Sequence, residues 1–201
     1  MPVQPEPDET GLGGGTDGVH VAGSAWAAGP PACYLPVTVG GNLTLIREGG
    51  VLATVDALCV YPVGFVFYLS VSLDPAYQAG QVRRVTGFRV RTPEETQTAM
   101  RVCVGFSDGQ VLDSAADMTA VVTPGMPVLM YSGGVSALSG TPALRSESRW
   151  WVSPLPPAGP VQFTVLLPGS PESAGAASID AARITSAAER SEVLWPEVGA
   201  G

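Results

Sequence analysis

The chain has 201 residues, 45% of them apolar and only 14% charged, with a net charge of −8 and ten arginines but no lysine. That length supports one well-buried core, and a charged share well below the usual value of about 25% leaves an unusually uncharged surface. Without lysine there is no Walker-type phosphate loop and no Schiff-base chemistry, and an acidic field disfavours nucleic acid and anionic membranes as partners.

Residues 1–32 are dense in Gly, Pro and acid and read as a disordered tail, leaving residues 33–197 as a single domain. The opening MPVQPEPDETGLGGG lacks the basic and apolar regions of a secretory leader, so a cytoplasmic protein is expected. GLGGGTDG (11–18) follows no strand and precedes no helix, so it reads as a linker and not a nucleotide loop.

From Tyr34 the pattern is one of short β-like runs. YLPVTV (34–39) is expected to end at Gly40-Gly41, and LTLIRE (43–48) at Gly49-Gly50. LATVDALCVYPVGFVFYLSVSL (52–73) is long and apolar enough to span a bilayer. Asp56 inside it would cost about 3 kcal/mol there, and Pro62 and Gly64 divide it, so two strands joined by a turn are predicted instead. FVFYLSVSL (65–73) alternates cleanly, with Phe65, Phe67, Leu69, Val71 and Leu73 on one face. Residues 74–98 form an irregular excursion. AMRVCVGF (99–106), Ser107-Asp108-Gly109 and QVL (110–112) make a hairpin with an Asp-Gly turn. PVLMY (127–131) leads into a Gly/Ser loop, and ESRWWVS (147–153) and VQFTVLL (161–167) are further strands. Asp180 can cap a short helix, AARITSAAER, with Ala181, Ile184 and Ala188 on one stripe, before a closing VLWP (193–196). The expected fold is all-β: an antiparallel β-sandwich, jelly-roll or immunoglobulin-like, with one short C-terminal helix.

RWWVSPLPPAGP (149–160) sets two tryptophans side by side before a run of prolines. Consecutive strand residues face opposite ways, so Trp150 shares the core face with Val152, and Trp151 shares the outer face with Glu147, Arg149 and Ser153. The prolines then form a polyproline-like arch; as an SH3 ligand they lack the right flanking residues. Trp151 is expected to be covered by another part of the chain. The competing reading makes Trp151 and Arg149 the centre of a partner surface, with Tyr68 contributing from the next strand.

Chemistry-bearing constellations are sparse. His20 is the one histidine, and Cys33, Cys59 and Cys103 are too scattered for a zinc site or a disulfide framework, so reduced thiols and no metal or cofactor are expected. Asp108, Asp113 and Asp117 do not match a calcium loop. There is no Gly-x-Ser-x-Gly elbow; of the carboxylates that could run an enzyme without histidine, Asp56 reads as a wet-face or arginine-paired acid, and Glu94, Glu95 and Glu147 read as solvated. Arg83, Arg84, Arg89 and Arg91 cluster within nine residues and are a candidate contact for an acidic partner, or a guard on a sheet edge.

RWWVSPLPPAGP, VQFTVLLP, Ile179-Asp180 and the final LWP together resemble a group of uncharacterised actinomycete proteins of similar length. The resemblance implies a small cytoplasmic β-rich domain from a high-GC bacterium and carries no activity or site residue with it. The expected function is a non-catalytic module that binds a protein partner or itself, through Arg149, Trp151 and Tyr68 or the arginine cluster. A small-ligand or carbohydrate-binding module is the alternative, and a carboxylate-based enzyme is third.

Overall fold

The computed structural model describes residues 29–74, 100–115, 126–137, 144–167 and 174–195. In chain order the strands are β1 (Tyr34–Leu35), β2 (Val37–Glu48), β3 (Val51–Tyr61), β4 (Gly64–Leu73), β5 (Arg101–Gly105), β6 (Val111–Asp113), β7 (Val128–Ala137), β8 (Leu144–Ser153), β9 (Pro160–Leu166) and β10 (Ala174–Asp180). The helix α1 (Ala181–Ala188) and the short β11 (Glu192–Val193) follow. They form three antiparallel sheets: β2-β3-β4-β8-β7, β10-β9-β5-β6, and a two-stranded ribbon of β1 and β11.

The alternation in β4 decides the architecture. Phe65, Phe67, Leu69, Val71 and Leu73 bury one face of the five-stranded sheet, and Val161, Phe163 and Val165 of β9 bury one face of the four-stranded sheet in the same core. Phe163 meets Phe67 at 5.0 Å and Phe65 at 6.4 Å between ring centroids, both edge to face. Each such ring removed from water stabilises the fold by about 1.5–3 kcal/mol. Trp150 joins this core from β8, and its indole N–H donates to Ser148 Oγ at 3.0 Å, so the ring's one polar atom is satisfied.

Several turns form as the residues require. Pro62 and Val63 join β3 to β4, so the apolar 52–73 stretch is a hairpin; no helix among the described residues is long and apolar enough to cross a membrane. The Asp108 carboxylate accepts from the Gln110 N–H at 3.0 Å and Gly109 takes φ 87°, closing the β5–β6 hairpin. Asp180 caps α1 by accepting from the Ala182 N–H at 2.9 Å, and the helix buries Ala181, Ile184, Ala187 and Ala188. The arch after β8, whose Ser153–Pro154 peptide is cis, is tied down where Ser107 Oγ donates to Ala158 O at 2.6 Å.

Two expectations are corrected, and one strand had no sequence expectation. Gly40-Gly41 does not end a strand: β2 runs through it, and the extra residues bulge, with Asn42 at φ 46°. The Ser132–Ala137 part of the expected Gly/Ser loop is strand, continuing β7 past a bulge at Gly133 (φ 131°). Nothing in the β-propensity of AGAASID announced β10. Its small residues fit because β10 runs against β2 so closely that a Cβ on Gly175 would collide with Leu45 O. Most of the expected tail (residues 1–28), the 75–99 part of the excursion, and Arg83, Arg84, Arg89 and Arg91 lie outside the described residues.

Candidate functional site

The outer face of the five-stranded sheet carries the richest group of polar side chains. A bulge between Val55 and Ala57 inserts Asp56 as an extra residue on β3 and turns its carboxylate over β4. Thr54 Oγ1 donates to one carboxylate oxygen at 2.6 Å, and Ser70 Oγ donates to the other in a short hydrogen bond. Arg145 of β8 reaches that second oxygen at 3.4 Å, Ser70 Oγ at 3.3 Å and Glu147 at 3.0 Å. Asp56, read in sequence as a wet-face or arginine-paired acid, is therefore both.

The same geometry limits its chemistry. Paired-carboxylate hydrolysis needs the gap between its two carboxyl groups open to substrate and water. Here the Arg145 guanidinium lies in that gap and pairs with both Asp56 and Glu147. The cluster works as a clamp across β3, β4 and β8.

One row along, Tyr68 sits opposite Arg149, and Cys59 donates to the phenol oxygen at 3.9 Å. Burial, then the neighbouring Cys59, pushes the Tyr68 phenol above its ordinary range, and Arg149 opposes them. Arg149 lies across Gly133, where a Cβ would come within 2.8 Å of its guanidinium, so glycine makes room for it. Tyr68 and Arg149 thus stand together on the outer face as a cross-strand pair.

Trp151 is on the outer face, as alternation requires, and it is 0% exposed. The edge of Tyr61 packs against it at 5.8 Å and 78°, and its ring fills the space over Gly64, where a Cβ would come within 2.7 Å of it. No face of the ring is open to a partner or a stacked sugar. Val66, its cross-strand neighbour on the same face, is buried as well.

On the outer face of the four-stranded sheet, Arg101 of β5 forms a close ion pair with Asp113 of β6. Burial, with Asp113 adding to it, pushes the neighbouring Cys103 thiol up to about 11, which leaves it almost wholly protonated at neutral pH. Asp108 and Asp113 are thus engaged in a turn and an ion pair; Asp117 lies outside the described residues. Among the described residues no group of His, Cys, Asp or Glu could hold a metal ion.

Sequence reasoning missed the exposed apolar residues of the ribbon. Trp195 is 63% exposed, and Val193, Leu35 and Leu194 are 58%, 50% and 44% exposed. The ribbon holds them in place: Tyr34 pairs with Val193, Leu35 with Glu192, and Cys33 O accepts from the Leu194 N–H at 2.8 Å. The available signal was a run, VLW, with no polar residue to alternate with it. The chain matches no protein-family model, no curated protein and no solved structure.

Proposed function

We propose that the protein is a non-catalytic β-sandwich that associates with another protein chain, a second copy included, through the β1–β11 ribbon. The core shared by two facing sheets supports the sandwich reading, and a jelly-roll or immunoglobulin-like arrangement remains the expected type. The observation that carries the functional reading is the ribbon's apolar surface. A tryptophan, a valine and two leucines are held outward by backbone hydrogen bonds on a small, well-paired element. Aromatic and aliphatic anchors of this kind dominate the energetics of protein interfaces.

Native mass spectrometry of the protein purified gently from its host tests this reading. The expected spectrum contains a species heavier by a second polypeptide, which is lost in the double variant Leu194→Ala and Trp195→Ala while the melting temperature is kept. A bare monomer, or an associated species that persists in the variant, overturns it.

A further inference from the structure

The first strand of the five-stranded sheet and the helix that follows β10 enclose an open cavity of about 520 Å³. Thr38, Val39 and Gly40 form one wall; Ala182, Arg183 and Ser186 of α1, with Arg190 two residues beyond its end, form the other. Strand β2 is the outermost strand of its sheet on that side.

In an antiparallel ladder the N–H and C=O of one residue point the same way, alternately toward the neighbouring strand and away from it. Gly40 O accepts from the Arg183 guanidinium at 3.2 Å, so the Gly40 backbone points away from β3. Thr38, two residues earlier in regular register, points the same way. The Thr38 N–H, the Thr38 C=O and the Gly40 N–H are thereby aimed at the cavity. A Cβ on Gly40 would meet nothing within 4 Å, so the strand surface is open there.

The opposite wall supplies charge. Arg183 lies in α1 and Arg190 two residues past its end, seven positions apart in sequence and on the same wall of the groove. Both are exposed, and among the described residues neither has a carboxylate partner; Arg183 bonds Gly40 O and Arg190 bonds Ser186 O at 3.2 Å. An arginine over an edge carbonyl is one way of guarding an open edge. Two of them facing the groove give it a local positive charge, in contrast to the chain's net charge of −8.

We propose that this groove binds an extended acidic peptide segment of a partner protein as an added strand on β2. Its main chain would pair with Thr38 and the Gly40 N–H, and its carboxylates, two or four residues apart on one face, would meet Arg183 and Arg190. The groove adjoins the apolar ribbon, since Leu35 precedes Thr38 by three residues and Glu192 follows Arg190 by two, but none of the ribbon's exposed apolar residues lines it.

The test is fluorescence anisotropy with a labelled hexapeptide of alternating valine and glutamate, against the same peptide with lysine for glutamate. Binding to the glutamate peptide alone is expected, with amide shifts at Thr38 and Gly40 in the NMR spectrum. Arg183→Glu and Arg190→Glu should each weaken it by about tenfold or more. Gly40→Leu, which puts bulk into the groove at a position with space for it, should do the same. Trp195→Ala should leave the affinity unchanged, separating this site from the ribbon. Equal binding of the lysine peptide, equal affinity in both arginine variants, full competition by free glutamate, or no binding at millimolar peptide would each overturn the proposal.

Discussion

The outer face of the five-stranded sheet has two ends, and β8 contributes to both. At one end, Arg145 and Glu147 stand more than half exposed around a carboxylate, their side chains 56% and 54% accessible. At the other, Trp151 and its cross-strand neighbour Val66 are 0% and 5% exposed. Both ends obey the same two-residue period. The period fixes which face a side chain takes, and the three-dimensional path of the rest of the chain fixes whether that face meets water. The largest effect expected from this difference is at Trp151. Trp151→Ala should cost about 3–5 kcal/mol by urea denaturation, as for a buried aromatic truncated in a core. The exposed Trp195→Ala should stay within about 0.5 kcal/mol. A Trp151→Ala cost below about 1 kcal/mol would mean the ring is not packed, and the contrast between the ends would collapse.

The polar end should respond more weakly and in two steps. Asp56→Ala removes the acceptor for Thr54 Oγ1 and for Ser70 Oγ, whose residue is only 4% exposed. A loss of about 1–2 kcal/mol is expected, the scale of stranding a nearly buried hydroxyl. Asp56→Asn, which keeps an acceptor, should lose less. Arg145→Ala breaks only contacts made by an exposed guanidinium, so its cost should be below about 1 kcal/mol. That cost should fade in molar salt, where screening acts over about 3 Å. If Arg145→Ala proved the costlier of the two, the bulge at Asp56 would not be the organising feature of this end.

Particular residues explain how far the sequence could be read. The Phe65–Leu73 alternation, the Asp108-Gly109 turn and the Asp180 cap are local signals, each complete within a few residues, and each formed. Trp150 and Trp151 were assigned to opposite faces by the same local rule. What failed depended on distant backbone. Gly40-Gly41 and Ser132–Gly134 carry turn residues, yet both lie in strands because pairing with β3 and β8 resumes on the far side of a bulge. The β10 segment has Ile179 as its one strong β-former, and only the close approach of β2 makes its small side chains the right ones. The candidate sites divide the same way. Asp56 was visible as an acid in a strand, but Ser70 and Arg145 joined it through register across three strands. The groove pairs residues 38–40 with 183–190, and no spacing rule connects positions so far apart.

The smallest expected effect probes the buried end without removing any ring. Tyr61 packs edge-on against Trp151, and burial, with Cys59 and Tyr68 adding to it, raises its phenol pKa above the usual 10. The folded protein therefore holds the Tyr61 proton after the unfolded chain has released it. The associated stability is complete below pH 10 and is lost as pH rises through the folded value. Tyr61→Phe should match wild type at neutral pH and show a shallower decline of unfolding free energy above pH 10. Cys103 declines with the same sign from about pH 9 toward its own value of about 11, and Tyr68 is raised as well. Both remain in the variant, so the difference between the two proteins isolates Tyr61. Identical slopes would mean that the hydroxyl is as well solvated in the folded chain as in the unfolded one. The burial of Trp151 would then end at the ring edge that touches it, and the apolar end would be narrower than its exposures imply.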